Sequence, residues 1–169
     1  MKSLKENFQK KHIVIIGSGI IGKFNALELS ELGFQISIID PAQILNSSNA
    51  ALGLLMGNMY QKRKGRSWDL RKQSIELWPK WLKFLQKFNN EIHITKPLIQ
   101  LTTDEEKFKK IEKFINEAND INLRILEGDS ILIKNINKVF QTKKIMGMIS
   151  YKDGRINAKS LLKTLDKCL

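Results

Sequence analysis

Apolar residues appear first as an unbroken run and then at two different periods. Ile13 to Ile16 are four β-branched residues in succession, which predicts that His12–Ile16 is a strand buried on both faces, as in a parallel sheet. From Ile20 the apolar positions Ile21, Phe24, Leu27 (or Leu29) and Leu32 recur at helical spacing, and Gly33 stands where a left-handed residue closes a helix. Phe34 to Ile39 supplies a second strand through Ile36, Ile38 and Ile39, stopped by Asp40-Pro41. Strand, glycine turn, helix and strand in about 30 residues form a βαβ unit, whose right-handed crossover makes the two strands parallel neighbours.

Beyond it, the stretch from Ala42 to Tyr60 is rich in Asn, Ser, Ala and Gly and reads as a loop with a short helix. A helix is expected from about Ser67 to Phe88, with Leu70, Ser74, Leu77, Trp81 (or Leu82), Leu85 and Phe88 on its inward stripe. Pro79 should kink it or begin its second half. Ile92 to Leu101 looks extended, and Thr103-Asp104-Glu105-Glu106 opens a helix to about Ala118 with acids at its positive end. Leu123–Leu126 and Met146–Tyr151 read as strands, and a last helix covers Asn157 to Cys168.

Composition changes this picture little. The 169 residues, 42% hydrophobic and 27% charged, suit a globular chain with a real core rather than a disordered or membrane-embedded one. The net charge of +12 comes from 24 Lys and only 5 Arg, beside 23 Ile and 13 Asn. Nucleic-acid readers lean on Arg for bidentate contacts, so the charge points to residue bias, and no nucleic-acid partner is expected. Cys168 is the single cysteine, which rules out an intrachain disulfide and a cysteine metal site. The basic start before Ile13–Ile21 imitates a signal peptide, but three glycines break the apolar run and no small-residue cleavage site follows. No stretch reaches the roughly 18 to 20 apolar residues of a membrane span. A cytoplasmic chain without a membrane partner is expected.

The candidate chemistry lies in the glycine turn. Gly17-Ser18-Gly19-Ile20-Ile21-Gly22 is a G-x-G-x-x-G between strand and helix, where Gly17 allows the turn, Gly19 a close backbone approach to a pyrophosphate, and Gly22 helix-on-strand packing. Asp40, at the end of the second strand, is placed to accept the ribose hydroxyls of an adenosine, and its charge disfavours a 2′-phosphate. NAD and FAD both satisfy this pattern. Gly17 to Lys23 also fits the start of a P-loop, but Phe24 stands where a magnesium-binding Ser or Thr is needed, and Lys23 then reads as a solvated residue. Trp68, Trp78 and Trp81, at helical spacing, read as core packing. His12 and His93 have no partner pattern for metal or acid-base work.

Together with Ser47-Ser48-Asn49-Ala50-Ala51-Leu52-Gly53-Leu54-Leu55, the segment from His12 to Pro41 resembles the amino-terminal part of the FAD-dependent D-amino-acid oxidase superfamily, closest to its glycine oxidase branch. The resemblance continues through Ser74-Ile75-Glu76-Leu77-Trp78-Pro79 and Pro97 to Ala118. It reaches Asp153-Gly154-Arg155-Ile156-Asn157, where Ala158 replaces a usual Pro. It implies FAD as cofactor, with Gly17, Ser18, Gly19, Ile20, Ile21 and Gly22 along the pyrophosphate. It further implies Asp40 at the ribose, Pro41 beside the adenine, Ser47 and Ser48 at the phosphates, and Leu52, Gly53 and Leu54 passing the isoalloxazine or ribityl chain.

The expected fold is α/β, a Rossmann-type FAD-binding βαβ core with an incomplete α+β substrate part. Its expected division is 1–66 for the FAD-binding segment, 67–94 for a long helical segment, and 95–169 for a partial substrate segment with the return helix. Members of the family are longer, and their later half supplies the second flavin-binding strand and the arginine that grips a substrate carboxylate. No residue here is assigned that role, Arg155 included, and no catalytic residue or metal ligand is named. The expected function is oxidation of small amines or amino acids, with the isolated chain inactive. The alternatives are a non-catalytic dinucleotide-binding remnant, or one half of a split enzyme with a complementary chain. Ile145–Tyr151 is then expected at an unfinished sheet edge.

Overall fold

The computed structural model describes residues 11–41, 46–127 and 145–169. The basic start at 1–10 and the part of the post-Asp40 loop at 42–45 lie outside the described residues. The chain divides into two compact units, the first made of Met1–Gly53, Pro79–His93 and Ile156–Leu169, the second of Leu54–Trp78 and Ile94–Arg155.

In the first unit, β1 (His12–Ile16) and β2 (Gln35–Ile39) pair in parallel, from His12 opposite Gln35 to Ile16 opposite Ile39. Helix α1 (Ile20–Glu31) crosses between them and ends at Leu32, with Gly33 at φ 97° as its left-handed exit. A short α2 (Ser47–Ala50) is capped by the Asn46 side chain, which accepts from the Asn49 N–H. The last helix, α5 (Ala158–Cys168), starts at Asn157, whose side chain accepts from Ser160 N–H. Ala26, Leu27, Leu85, Ile92, Ile156, Leu161 and Leu165 form the buried interior. Phe24, Trp81, Phe84 and Phe88 run beside it as a chain of rings with centroids 4.8, 5.9 and 5.3 Å apart.

Three expectations fail in this unit. Strand β1 is not buried on both faces: Val14 and Ile16 are exposed, as is Ile39 on β2. The described sheet has only two strands, and α1 covers the face of Ile13 and Ile15, with Ile15 lying under Gly22. On α1 itself, Ile21 and Leu32 point outward, and the inward face is Lys23, Ala26 and Leu27. Lys23 is therefore not a solvated residue. Its ammonium is buried against α5, where it pairs with Asp166.

The second unit is built on antiparallel pairing. Strands β5 (Leu98–Thr102), β6 (Leu123–Leu126) and β7 (Met146–Ser150) form a sheet in the order β5-β7-β6. Strands β3 (Leu54–Leu55), β4 (Ile94–Thr95) and β8 (Gly154–Ile156) form another in the order β3-β8-β4. The stretch Ile145–Tyr151 is thus no edge: β7 is the middle strand and every one of its residues is buried. Both of its sides are used by strands of this same chain, so the exposed ladder expected there does not exist. Helix α4 (Glu105–Ala118) begins at Asp104, whose carboxylate accepts from Glu106 N–H and Lys107 N–H, and ends at left-handed Asn119. Met59, Ile111, Leu123 and Met148 make one core cluster of this unit, and Leu126, Ile145 and Ile149 another.

Helix α3 (Arg66–Leu85) runs through Pro79 as one element. The expected stripe holds at Trp81, Leu82 and Leu85, which are covered, but not before Pro79: Leu70, Ser74 and Leu77 are exposed there, and Trp68, Arg71, Ile75 and Trp78 are half-buried instead. Phe88, past the end of the helix, is exposed. Arg71 makes the difference. Its guanidinium lies 4.1 Å from the Tyr60 ring centroid, and its Nη1 donates to the Met56 carbonyl at 2.9 Å, so a residue counted as polar occupies an inward position.

Candidate functional site

The site is assembled at the amino-terminal end of α1. The turn leaves β1 through Gly17 at φ 102°, whose N–H donates to the Ile39 carbonyl at 2.8 Å, tying the turn to the end of β2. One residue on, Ser18 N–H donates to Asp40 Oδ2 at 2.6 Å, and Ile20 N–H donates to Ser48 Oγ at 3.0 Å. Residues 22 and 28 positions apart in the chain are thereby drawn onto one turn. Gly22 cannot carry a side chain, because a Cβ there would overlap the Gly17 carbonyl oxygen. Gly19, the N-cap, has no side-chain cap of its own, and a Cβ on it would lie 2.9 Å from Ser48 Oγ.

Electrostatics favour an anion at this point. The first turn of α1 contains no acidic residue, so its N–H groups and the positive end of the helix dipole are not offset by a side chain of the helix. Such an end is suited to a pyrophosphate. Asp40 presents a carboxylate at the rim, where hydroxyl donors of a ribose would be accepted.

The other sequence-derived site residues are distributed as follows. Ile20 and Ile21 open α1, with Ile21 three-quarters exposed. Pro41 and Ser47 are exposed beside Asp40 and Ser48. Gly53 sits at φ 69° with its carbonyl accepting from Ile156 N–H at 2.9 Å, in a space that a Cβ would take from the Ile156 carbonyl. Leu52 is exposed in the first unit, and Leu54, also exposed, opens β3 in the second. His12 is exposed and shares a 2.8 Å hydrogen bond with Ser37, and exposed His93 contacts the Glu91 carbonyl. Among the described residues no group of His, Cys, Asp and Glu is arranged to hold a metal ion.

One buried group, Asp153, enters the sequence reading only as part of the resemblance and without a role of its own. Asp153, 2% exposed, accepts from three backbone N–H groups: Gly57 at 2.8 Å and Asn58 at 2.9 Å on Oδ1, and Met59 at 2.7 Å on Oδ2. It fixes the turn that follows the Leu52–Leu54 segment. The signal available was slight, an acid before a glycine ahead of a three-residue strand, with its partners about 95 positions away.

A parallel βαβ unit with this turn, acid and helix end defines a dinucleotide-binding α/β protein. Residues 12–167 match the family model described as FAD dependent oxidoreductase, and the chain belongs to that family, whose cofactor is FAD. Among solved structures, iminodiacetate oxidase from Chelativorans sp. BNC1 superposes with a TM-score of 0.72 at 19% identity, over 92% of this chain and 43% of that one. Glycine oxidase from Bacillus cereus ATCC 14579 gives 0.72 at 23%, over 94% and 45%. Glycine oxidase from Geobacillus kaustophilus gives 0.72 at 20%, over 94% and 44%. The chain thus spans less than half the length of these structures. A search of curated proteins gives no match. The residues at the α1 end fit the cofactor: the glycine cradle excludes side chains, the first turn of α1 carries no acid of its own, and the one carboxylate at the turn, Asp40, stands at the rim where a ribose would be held.

Proposed function

We propose that this chain supplies the FAD-holding part of an oxidoreductase acting on small amines or amino acids. The observation that carries the reading is the convergence of Ser18 N–H on Asp40 and of Ile20 N–H on Ser48 at the start of α1. In this reading the backbone of Gly17–Gly22 lines the pyrophosphate and Asp40 holds the adenosine ribose beside Pro41. Ser47 and Ser48 serve the phosphates, and Leu52, Gly53 and Leu54 run along the ribityl and ring portion. FAD, when bound, supplies hydride acceptance from the carbon bearing the amine. The residues of this chain bind and orient, and none of them is assigned an acid, base or nucleophile role.

Turnover by this chain needs further polypeptide, whether continuous with it or a separate complementary chain. The exposed apolar face of Val14, Ile16 and Ile39 supports this, since such a face on a parallel sheet is ordinarily covered. A reducing, cytoplasmic setting goes with the reading, supported by Cys168 as the single cysteine. Among the described residues no helix is long and apolar enough to cross a membrane.

The experiment is reconstitution of the purified chain with FAD, followed by gel filtration and visible spectroscopy. Yellow, flavin-absorbing protein that loses its colour in the Asp40→Ala variant is expected. A colourless chain that takes up no FAD at any concentration tested would refute the cofactor role. Peroxide production from glycine or a D-amino acid by the 169-residue chain alone would refute the need for further polypeptide.

A further inference from the structure

The second unit carries a cleft of about 410 Å³ that the cofactor reading does not use. Its walls include Lys62, Arg63 and Lys64 on one side and Phe114, Glu117 and Ala118 of α4 on the other. The volume falls in the range of small-molecule sites.

Arg63 is the fixed element. Its guanidinium lies 4.9 Å from the Phe114 ring centroid and 5.7 Å from that of Trp68. Its Nη2 donates to the Asn58 carbonyl at 2.7 Å, and Asn58 belongs to the turn clamped by Asp153. The side chain is thus held in place before any ligand arrives, which lowers the ordering cost of binding. Its Nε is buried and has no hydrogen-bond partner among the described residues, so a ligand in the cleft would have to be met by the terminal nitrogens.

The charges around it are unbalanced. Among the described residues, neither Lys62 nor Lys64 has an acid within ion-pair distance, whereas Glu117 is already engaged by Lys113 at 3.8 Å. Asp120, the acid whose field reaches Arg63, is engaged by Lys152 at 3.8 Å and by Asn58 and Asn122. Three cations thus face a cleft whose one acid is shared outward, and Phe114 and Ala118 add an apolar wall.

We propose that this cleft binds a small organic dianion of the phosphate-ester class, with its oxyanion between Lys62, Arg63 and Lys64 and its apolar body on Phe114 and Ala118. The inference is independent of the flavin reading, because every residue it uses lies in the second unit.

Phenyl phosphate is the probe, titrated into the full chain by calorimetry and by amide chemical-shift mapping. Saturable binding with a Kd of about 1 mM or tighter is expected, with shifts at residues 61–64 and 114–118. Arg63→Gln should weaken it about tenfold to a hundredfold. The Lys62→Gln/Lys64→Gln double variant alters only exposed side chains and leaves Arg63 stacked, and it should weaken binding and flatten its salt dependence. Inorganic phosphate should bind more weakly than phenyl phosphate, and benzyl alcohol not at all. The proposal is overturned by non-saturable binding, by shifts confined to Gly17–Gly22, by unchanged affinity in the double lysine variant, or by inorganic phosphate binding as tightly as the ester.

Discussion

Replacing Asp153 separates what its charge contributes from what its shape contributes. Both oxygens are in use, Oδ1 by Gly57 and Asn58 N–H and Oδ2 by Met59 N–H, and the side chain is 2% exposed. Asp153→Asn keeps an acceptor at the Oδ1 position but puts an amide N–H against Met59 N–H. The Met59 donor is then buried without a partner, at about 1–3 kcal/mol, and the two surviving bonds lose their charge assistance. The expected cost is about 2–3 kcal/mol. Asp153→Ala strands all three donors and should cost about 4–6 kcal/mol, a large share of the roughly 5–15 kcal/mol by which domains are stable. Urea unfolding gives the totals, and native-state hydrogen exchange localises them. In the Asn variant the Met59 amide should lose protection while Gly57 and Asn58 keep most of theirs, and in the Ala variant all three should exchange. An Asn variant within 1 kcal/mol of the parent, or a Met59 amide that stays protected, would refute the assignment of this clamp.

Asp40→Ala should weaken FAD binding about tenfold to a hundredfold by equilibrium titration, from loss of charge-assisted hydrogen bonds, and the Ser18 amide should exchange faster because its acceptor is gone. Equal affinity in the variant would remove Asp40 from the ribose. Gly22→Val should abolish flavin uptake and destabilise the first unit, since its side chain must displace the Gly17 carbonyl, and this is checked by titration and thermal unfolding. The hydrogen bonds from Asn122, together with the Lys152 charge, hold the Asp120 carboxyl below the ordinary value of 3.8. A carboxylate lowered on folding stabilises above its unfolded value and loses that contribution as pH falls through its folded one. Acid titration should therefore show a stability loss beginning below pH 3.8 that is missing in Asp120→Asn.

Much of the first unit was legible because its signals are local. Gly17, Gly22 and Gly33 mark turns whose backbone demands are set within a few residues, and the β-branched run of β1 and the acid after β2 need no distant partner to be recognised. The starts of the helices near Asp104 and Asn157 were readable for the same reason, while the caps themselves came from the structure. The orientation of α3 before Pro79 was not. Leu70 and Leu77 outrank Arg71 on any hydropathy scale, yet the Tyr60 ring and the Met56 carbonyl give Arg71 a half-buried place that only the folded chain provides. Lys23 likewise looked like a surface residue until Asp166, far along the chain, supplied its counter-charge. Strands β3 and β8, two and three residues long, carry no period at all and exist because they pair with each other.

The sequence by itself determined the βαβ unit, its glycine turn and the acid at its rim, because steric and capping constraints act between neighbours. Tertiary structure decided that Met146–Ser150 is a central strand, which face of α3 turns inward before Pro79, and that Asp153 holds the turn at Gly57–Met59. Those outcomes depend on hydrogen bonds and burial between residues remote in the chain, and the worth of a buried charge or a short strand is set by partners that folding alone brings within reach.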